Sequence, residues 1–337
     1  MHPTDFARYL TTFLTDFLPG QKNVSRNTIK SYRDTFKLLL RYCQEQEGIA
    51  AETITMTTLS NHRILHFLDW VENTRHCSIS TRNQRLAAIH SFFRYAQSEE
   101  PAGLYQFQQV IAIPVKKAGT SGIVHLTPEA MQLLLAQPET TTPGGRRHLT
   151  LMSVLYDTGA RVQELIDLKV RDVILSNPAV IVLTGKGRKT RRVPLMKGTV
   201  QLLTHYLQEH NLGPPWKNDY PLFVNKQQKQ LTQKGVAYII SVYAEQARRA
   251  SPLFPAKVHP HLFRHSKAMH LLQAGVNLIY IRDFLGHTDI KVTEVYARAD
   301  TETKRKAIEN ACADLIDVSN LPDWTKDQAL LTWLSEL

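Results

Sequence analysis

From its first residues the chain sets apolar side chains at helical spacing. In "TIKSYRDTFKLLLRYCQE", Ile29, Tyr32, Phe36, Leu39 and Cys43 fall on one helix face. "SNHRILHFLDWVEN" gathers Ile64, Phe67, Leu68 and Val71 into a second stripe, with Ser60 as its N-cap. "STRNQRLAAIHSFFRYAQ" makes a third, with Ser80 as cap, Leu86, Ile89, Phe93 and Ala96 inward, and Arg82, Arg85 and Arg94 on the other side. Residues 1–113 are therefore expected to form a helical domain.

Residues 114–126 break the pattern. Pro114, the pair Lys116 and Lys117, and a Gly/Ser/Thr cluster read as a linker, which ends at Thr127-Pro128, an N-cap followed by proline at the first helical position. The second domain, 127–300, opens with the helical segments "TPEAMQLLLAQ", "RRHLTLMSVLYDTG" and "RVQELIDL". Strand patterns follow in "VRDVIL", "AVIVLTG" and "RRVPL", with turn chemistry at Gly185-Lys186-Gly187. Helical spacing then returns. The fold class is mainly α (α+β): two mostly helical domains, the second with a small antiparallel sheet. Residues 301–337 form a tail whose last stretch carries Trp324, Leu330, Leu331, Trp333 and Leu334.

Composition narrows the function classes. A chain of 337 residues is long enough for two cores. Cys43, Cys77 and Cys312 are odd in number and far apart, so neither a disulfide framework nor a metal motif is indicated. No apolar run reaches membrane-spanning length and the start is not that of a signal peptide, so a reducing cytoplasm is expected. The formal net charge of +11 suits a polyanionic partner, nucleic acid above all, or simply a basic soluble protein.

Basic residues then cluster in three places. In "DTGARVQELIDL", Gly159 ends one helix, Arg161 begins the next, and Glu164 lies on the same side to hold the guanidinium, or forms an ordinary surface pair with it. "TGKGRKTRRVPLMKG" holds Lys186, Arg188, Lys189, Arg191, Arg192 and Lys197 and no acid, either a solvated charge run or an ordered hairpin that presents an ammonium to a phosphate. In "HLFRHSKAMHLLQAGVNLIYIRDFLGHTDIKVTEVYARAD", His261 and Arg264 project from one helix face, Gly286 breaks the chain before His287, and Thr288 or Asp289 caps a helix reaching Tyr296. The break matters, because nine residues of unbroken helix would carry Tyr296 about 13 Å along the axis.

A helical core with satisfied histidines would explain these residues singly. Zinc would use His261 and His265, four apart, but the intervening Arg264 is an ill-suited neighbour for a dication. A metal-dependent nuclease would want clustered carboxylates, which are missing near these motifs. Two arginines, a lysine and two histidines suit metal-free phosphoryl transfer instead. Arg161 and Arg264 would bind the non-bridging oxygens, Lys186 would protonate a leaving sugar oxygen, and Tyr296 would be the nucleophile. The phenolate ester would conserve the bond energy, so cutting and rejoining need no ATP.

With these residues in view, the chain resembles the tyrosine recombinases of the phage-integrase/Xer family. "TGARVQEL" supplies Arg161, "GKGRK" Lys186, "HLFRH" His261 and Arg264, and "LGHTDIKVTEVY" His287 and Tyr296, six positions in the family's order. Ala160 and Phe263 stand where leucine is common. The resemblance is firm over roughly 125–300 and architectural over 1–113, where it implies a helical, SAM-like core-binding domain.

The resemblance implies the rest: a two-domain clamp on duplex DNA, a 3′-phosphotyrosyl intermediate, no cofactor, and no metal. His261 would act in proton transfer, His287 would donate to the phosphate, and Lys186 would protonate the 5′-oxygen. Lys30, Arg82, Arg85, Lys116, Lys117, Arg188, Lys189 and Arg191 are the candidate contacts to the DNA backbone. Four protomers on two sites would exchange strands, the protein being a monomer in solution, with the tail docking on a neighbour. His265 is expected to pack or hydrogen-bond within the core, and Tyr243 and Tyr280 to be structural. The functions implied are an integrase or transposase of a mobile element, a Xer-like chromosome-dimer resolvase, a type IB topoisomerase-like enzyme, or a DNA-binding regulator without catalysis.

Overall fold

The computed structural model describes residues 3–119, 123–185, 187, 189–251, 254–300 and 328–336. The chain divides into two compact units, Met1–Ser121 and Gly122–Leu337. Each has its own core, and the small sheet belongs to the second.

In the first unit, α1 (Asp5–Thr12) runs into a π-helical turn, Phe13–Gln21, and α2 (Arg26–Glu47), α3 (Asn61–Asp69), α4 (Ile79–Glu99) and α5 (Leu104–Ile111) follow. Ser60 caps α3 as its position suggests. The cap of α4 is Ser78, not Ser80: the Ser78 hydroxyl accepts from the Thr81 amide, 3.2 Å away, and Ser80 lies inside the helix. Two serines two residues apart offer the same capping chemistry, and periodicity does not choose between them. The core is aromatic, with Phe92 edge-on to Phe36 at 5.0 Å and to Phe13 at 5.4 Å between ring centroids.

Two arginines expected from sequence to contact DNA make hydrogen bonds within the first unit, and burial takes Arg82 off the surface. Arg82 is only 3% exposed and gives Nη1 to the Pro114 carbonyl, 3.3 Å away. Arg85 spans from α4 to α2, donating to Thr35 Oγ1 at 3.1 Å and the Ser31 carbonyl at 3.4 Å. Arg82, four residues before Leu86, lies on the buried face of α4 and not opposite it, whereas Arg85 is half-buried beside α2. Lys30 and Lys117 are exposed, and Lys116 pairs with Glu72 at 2.7 Å.

The second unit contains α6 (Pro128–Leu135), α7 (Pro143–Thr158) and α8 (Val162–Ile166). A three-stranded antiparallel sheet follows, β1 (Val173–Ile174), β2 (Val180–Thr184) and β3 (Thr190–Pro194), in the order β1-β2-β3. β1 is shorter than "VRDVIL" suggests, because Asp172 accepts from the Lys169 amide at 2.8 Å and winds Val170–Asp172 into a 3-10 turn. β2 and β3 pair from Val180↔Pro194 to Thr184↔Thr190. Then come α9 (Lys197–Glu209), α10 (Gln233–Ala250), α11 (Pro260–Gln273), α12 (Leu278–Leu285) and α13 (Lys291–Ala299).

α11 is the spine that carries the site. Leu262, Phe263, Ala268 and Met269 are buried, and Ser266 Oγ accepts from the Leu126 amide at 2.8 Å, tying α11 to the chain entering α6. The buried Lys267 ammonium meets Asp157 at 3.2 Å, whose second oxygen accepts from the Met196 amide at 2.8 Å before α9. Gln328–Ser335 is a short helix in the tail, and its Trp333 is 57% exposed. Trp324 lies outside the described residues. Among the described residues, no helix is long and apolar enough to cross a membrane.

Candidate active site

Three chain breaks bring the basic residues together. The first is the end of α7. Gly159 takes the left-handed conformation (φ +57°) that only glycine adopts freely, and it turns the chain so that Arg161 becomes the N-cap residue of α8. Glu164, in the first turn of α8, accepts from the Arg161 amide at 2.9 Å and from Arg161 Nη1 at 2.8 Å. The second is the β2–β3 turn, closed by the Gly185 amide donating to the Lys189 carbonyl at 2.8 Å. A Cβ on Gly185 would stand 3.0 Å from Glu164 Oε1, so the turn starts against the carboxylate that holds Arg161. Lys186 and Arg188 lie outside the described residues; Lys189 is exposed.

The third is Gly286 (φ +66°), which ends α12. α13 begins at Lys291, and Asp289 Oδ1 accepts its amide at 2.9 Å, so Asp289 does the capping, one residue further from the helix than a regular N-cap. The short connection folds Tyr296 back onto α11.

The result is one cavity of about 570 Å³ lined by Arg161, His261, Arg264, His265, His287, Lys291, Val292, Val295 and Tyr296. Arg264 is 4% exposed, with Nη1 on the Gly159 carbonyl at 2.8 Å and Nη2 on the Leu285 carbonyl at 2.6 Å. Burial, and then the Arg161 and Arg191 charges, push its guanidinium down to about 9, so it is still a cation at neutral pH. His287 Nδ1 and Thr293 Oγ1 share a hydrogen bond of 2.8 Å. Burial, with Arg264, Arg161 and Arg191 beside it, lowers His287 to about 4. His261 is lowered too, by burial and then by His259, Arg264 and Arg161. The cavity therefore combines fixed guanidinium cations with neutral imidazoles. That set matches a phosphodiester monoanion, whose charge the arginines hold and whose oxygens accept hydrogen bonds.

Arg191 is a correction. Read from sequence as a contact to DNA, it closes on Glu164 instead, Nη2 to Oε2 at 2.8 Å and Nη1 to Oε1 at 3.1 Å, and gives Nε to the Phe284 carbonyl at 2.9 Å. The pair spans 27 residues, and local charge patterning has no access to it. Burial pushes the Glu164 carboxyl up, but the Arg191 and Arg161 hydrogen bonds outweigh it and leave the group below its ordinary value. Glu164 thus orients two arginines.

His265 hydrogen-bonds as expected, but its partner is the nucleophile candidate: Nδ1 lies 2.9 Å from the Tyr296 hydroxyl. Helix spacing did contain the signal, since His261, Arg264 and His265 at i, i+3 and i+4 share one face. Tyr243 bonds His148 Nδ1 at 2.8 Å, and Tyr280 is an exposed side chain of α12.

A helical first unit followed by a second in which arginines, histidines and one tyrosine share a cavity is the architecture of the tyrosine recombinases. The chain belongs to the phage integrase family: residues 124–303 match that family and residues 11–100 match the N-terminal SAM-like domain of phage integrases. It is 36% identical over 303 residues to the y4rC protein of Sinorhizobium fredii, covering 90% of each chain. It is 31% identical to the tyrosine recombinase XerD of Listeria monocytogenes, over 83% of this chain and 90% of that one. Its fold is similar to that of the XerH site-specific recombinase bound to a palindromic difH substrate in a post-cleavage complex (TM-score 0.68, 24% identity, 86% of this chain and 80% of that one). It is also similar in fold to the Tn1549 transposon integrase in complex with transposon right-end DNA (TM-score 0.71, 17% identity, 90% and 99%).

Proposed function

We propose that this chain is a site-specific recombinase that cuts and rejoins duplex DNA through Tyr296. The observation that carries the proposal is the single cavity shared by Arg161, His261, Arg264, His287 and Tyr296. Arg161 and Arg264 bind the non-bridging oxygens of the scissile phosphate, and a donor lost from such a site costs on the order of 10²–10³ in rate. The Tyr296 oxygen attacks phosphorus, the bond to the 5′-oxygen breaks, and Lys186 protonates that oxygen. A 3′-phosphotyrosyl ester remains, and the reverse attack reseals a strand.

Four protomers on two DNA sites, each lending its C-terminal tail to a neighbour, would couple the cuts. The exposed Trp333 supports a partner for the tail. The role is integration or transposition of a mobile element, in a DNA-containing cytoplasm. The 31% identity to XerD supports chromosome-dimer resolution as the second reading. A recombination assay between the ends of the surrounding genetic element, run beside one between chromosomal dimer sites, separates the two.

Covalent trapping tests the chemistry. Nicked duplexes from the ends of the surrounding genetic element, incubated with the protein and run on denaturing gels, are expected to yield a protein–DNA adduct that Tyr296→Phe abolishes. An adduct that survives in Tyr296→Phe would sink the assignment.

A further inference from the structure

The geometry points to His265 as the catalytic base that takes the proton from Tyr296 as its oxygen attacks phosphorus, and returns it when the phenol leaves; this rests on the strand-transfer reading above. The step balances. Nδ1 gains the phenolic proton as the phosphorus–oxygen bond to Tyr296 forms, and the bond to the 5′-oxygen breaks as that oxygen takes its proton from the acid. On resealing, the 5′-hydroxyl returns its proton to the conjugate base of the acid as its oxygen attacks phosphorus. The phosphorus–oxygen bond to Tyr296 breaks, and the departing Tyr296 oxygen recovers its proton from the His265 imidazolium.

Three observations carry this. His265 Nδ1 is 2.9 Å from the Tyr296 oxygen, within the reach a general base needs. Tyr296 is 2% exposed, so bulk water is a poor acceptor for its proton. Of the other two imidazoles lining the cavity, His261 and His287, the second has its Nδ1 on Thr293, and His265 is the one whose hydrogen bond to Tyr296 is formed.

His265 is also in the right state to accept. Burial holds it below the ordinary imidazole range, and His261, His259 and Arg264 from its own helix and its N-terminal cap act in the same sense. His287, in the connection to α13, faces it as well. In the neutral tautomer with its proton on Nε2, the ring accepts the phenolic hydrogen at Nδ1, and that is the form the base requires. Burial raises the Tyr296 phenol, while Arg264 and Arg161 pull it back. A base crowded by cations makes a strong conjugate acid, which suits a reversible reaction: the proton is borrowed during attack and readily given back.

The test uses the full chain and the duplex whose cleavage position covalent trapping has mapped, with sulfur replacing the bridging 5′-oxygen there. The thiolate leaves without a proton, so protonation of the leaving group no longer limits the rate. His265→Asn keeps an acceptor near the Nδ1 position but removes its basicity. Adduct formation is expected to slow by about 10²–10⁴ and to lose the acid limb of its pH profile, with thermal melting unchanged. His265→Gln is the second variant should the first fail to fold. If neither folds, the wild-type profile decides, and it must show an acid limb with a midpoint below the ordinary imidazole value of 6.5. A folded variant with the wild-type rate and profile would overturn the base while leaving Tyr296 as nucleophile. An adduct that forms without Tyr296 would overturn both.

Discussion

Arg264 Nη1 donates to the carbonyl of Gly159 at 2.8 Å, so a guanidinium on α11 is anchored to the turn that ends α7. Nη2 reaches the Leu285 carbonyl in the same way, and one side chain thereby braces two of the three chain breaks that build the cavity. A lysine has one nitrogen and cannot bridge both carbonyls in fork geometry. Arg264→Lys is expected to leave a buried carbonyl unpaired, at a cost of about 1–3 kcal/mol in denaturant unfolding. Covalent adduct formation should drop by about 10²–10³. Wild-type values in both assays would show that the bracing does not matter.

Glu164→Gln removes the charge between Arg161 and Arg191. Breaking a buried pair by neutralising one partner costs about 3 kcal/mol. Because the folded carboxyl titrates below its ordinary value of 4.5, its stabilisation is complete above that value and is lost as pH falls through the folded value. The stability difference between wild type and Glu164→Gln, followed by urea unfolding, should therefore shrink on acidification below 4.5. A difference that stays constant with pH would refute the linkage.

His287 offers a spectroscopic check. Its imidazole is lowered from 6.5 to about 4, so the ring is neutral at physiological pH. The stabilisation this gives is present above 6.5 and is lost as pH falls from there towards 4. Imidazole nitrogen shifts followed by NMR should show a ring titrating near 4, which His287→Gln removes, and a DNA phosphate in the cavity should raise that midpoint. A His287 midpoint at 6.5 would mean the ring stands in water.

Gly159 would take a methyl group only with a strained backbone and tight packing. Its φ is positive, and a Cβ would sit 3.0 Å from Leu285 Cδ2 and 3.2 Å from Phe284. Gly159→Ala should cost about 1–3 kcal/mol and displace the carbonyl that Arg264 uses, lowering melting temperature and adduct yield together. A variant that melts like wild type would contradict the packing described.

Arg82 separates charge from contact. Arg82→Ala should lower the thermal stability of the chain and leave the salt dependence of DNA affinity unchanged. Loss of a phosphate contact would reduce the slope of log affinity against log salt by about one. A change of that size would restore Arg82 to the DNA surface.

The helices, the hairpin and the order of Arg161, His261, Arg264, His287 and Tyr296 were legible along the chain because they depend on local rules: apolar spacing, caps and glycine breaks. The stripes of α3 and α4 are buried as their spacing requires, and in α2 Phe36, Leu39 and Cys43 are buried while Ile29 and Tyr32 pack partly buried against the same core. Gly159 and Gly286 both end helices in the left-handed conformation. Partnership was not legible. Arg82 and Arg191 look like any other basic residue in a sequence of net charge +11, and only packing shows that one braces the chain at Pro114 and the other serves Glu164. Likewise, 31 residues separate His265 from Tyr296, and the turn at Gly286 brings them to hydrogen-bonding distance. Sequence periodicity records which side of a helix is apolar. What a polar group on that helix meets depends on where another element packs, and the tertiary structure alone decides that.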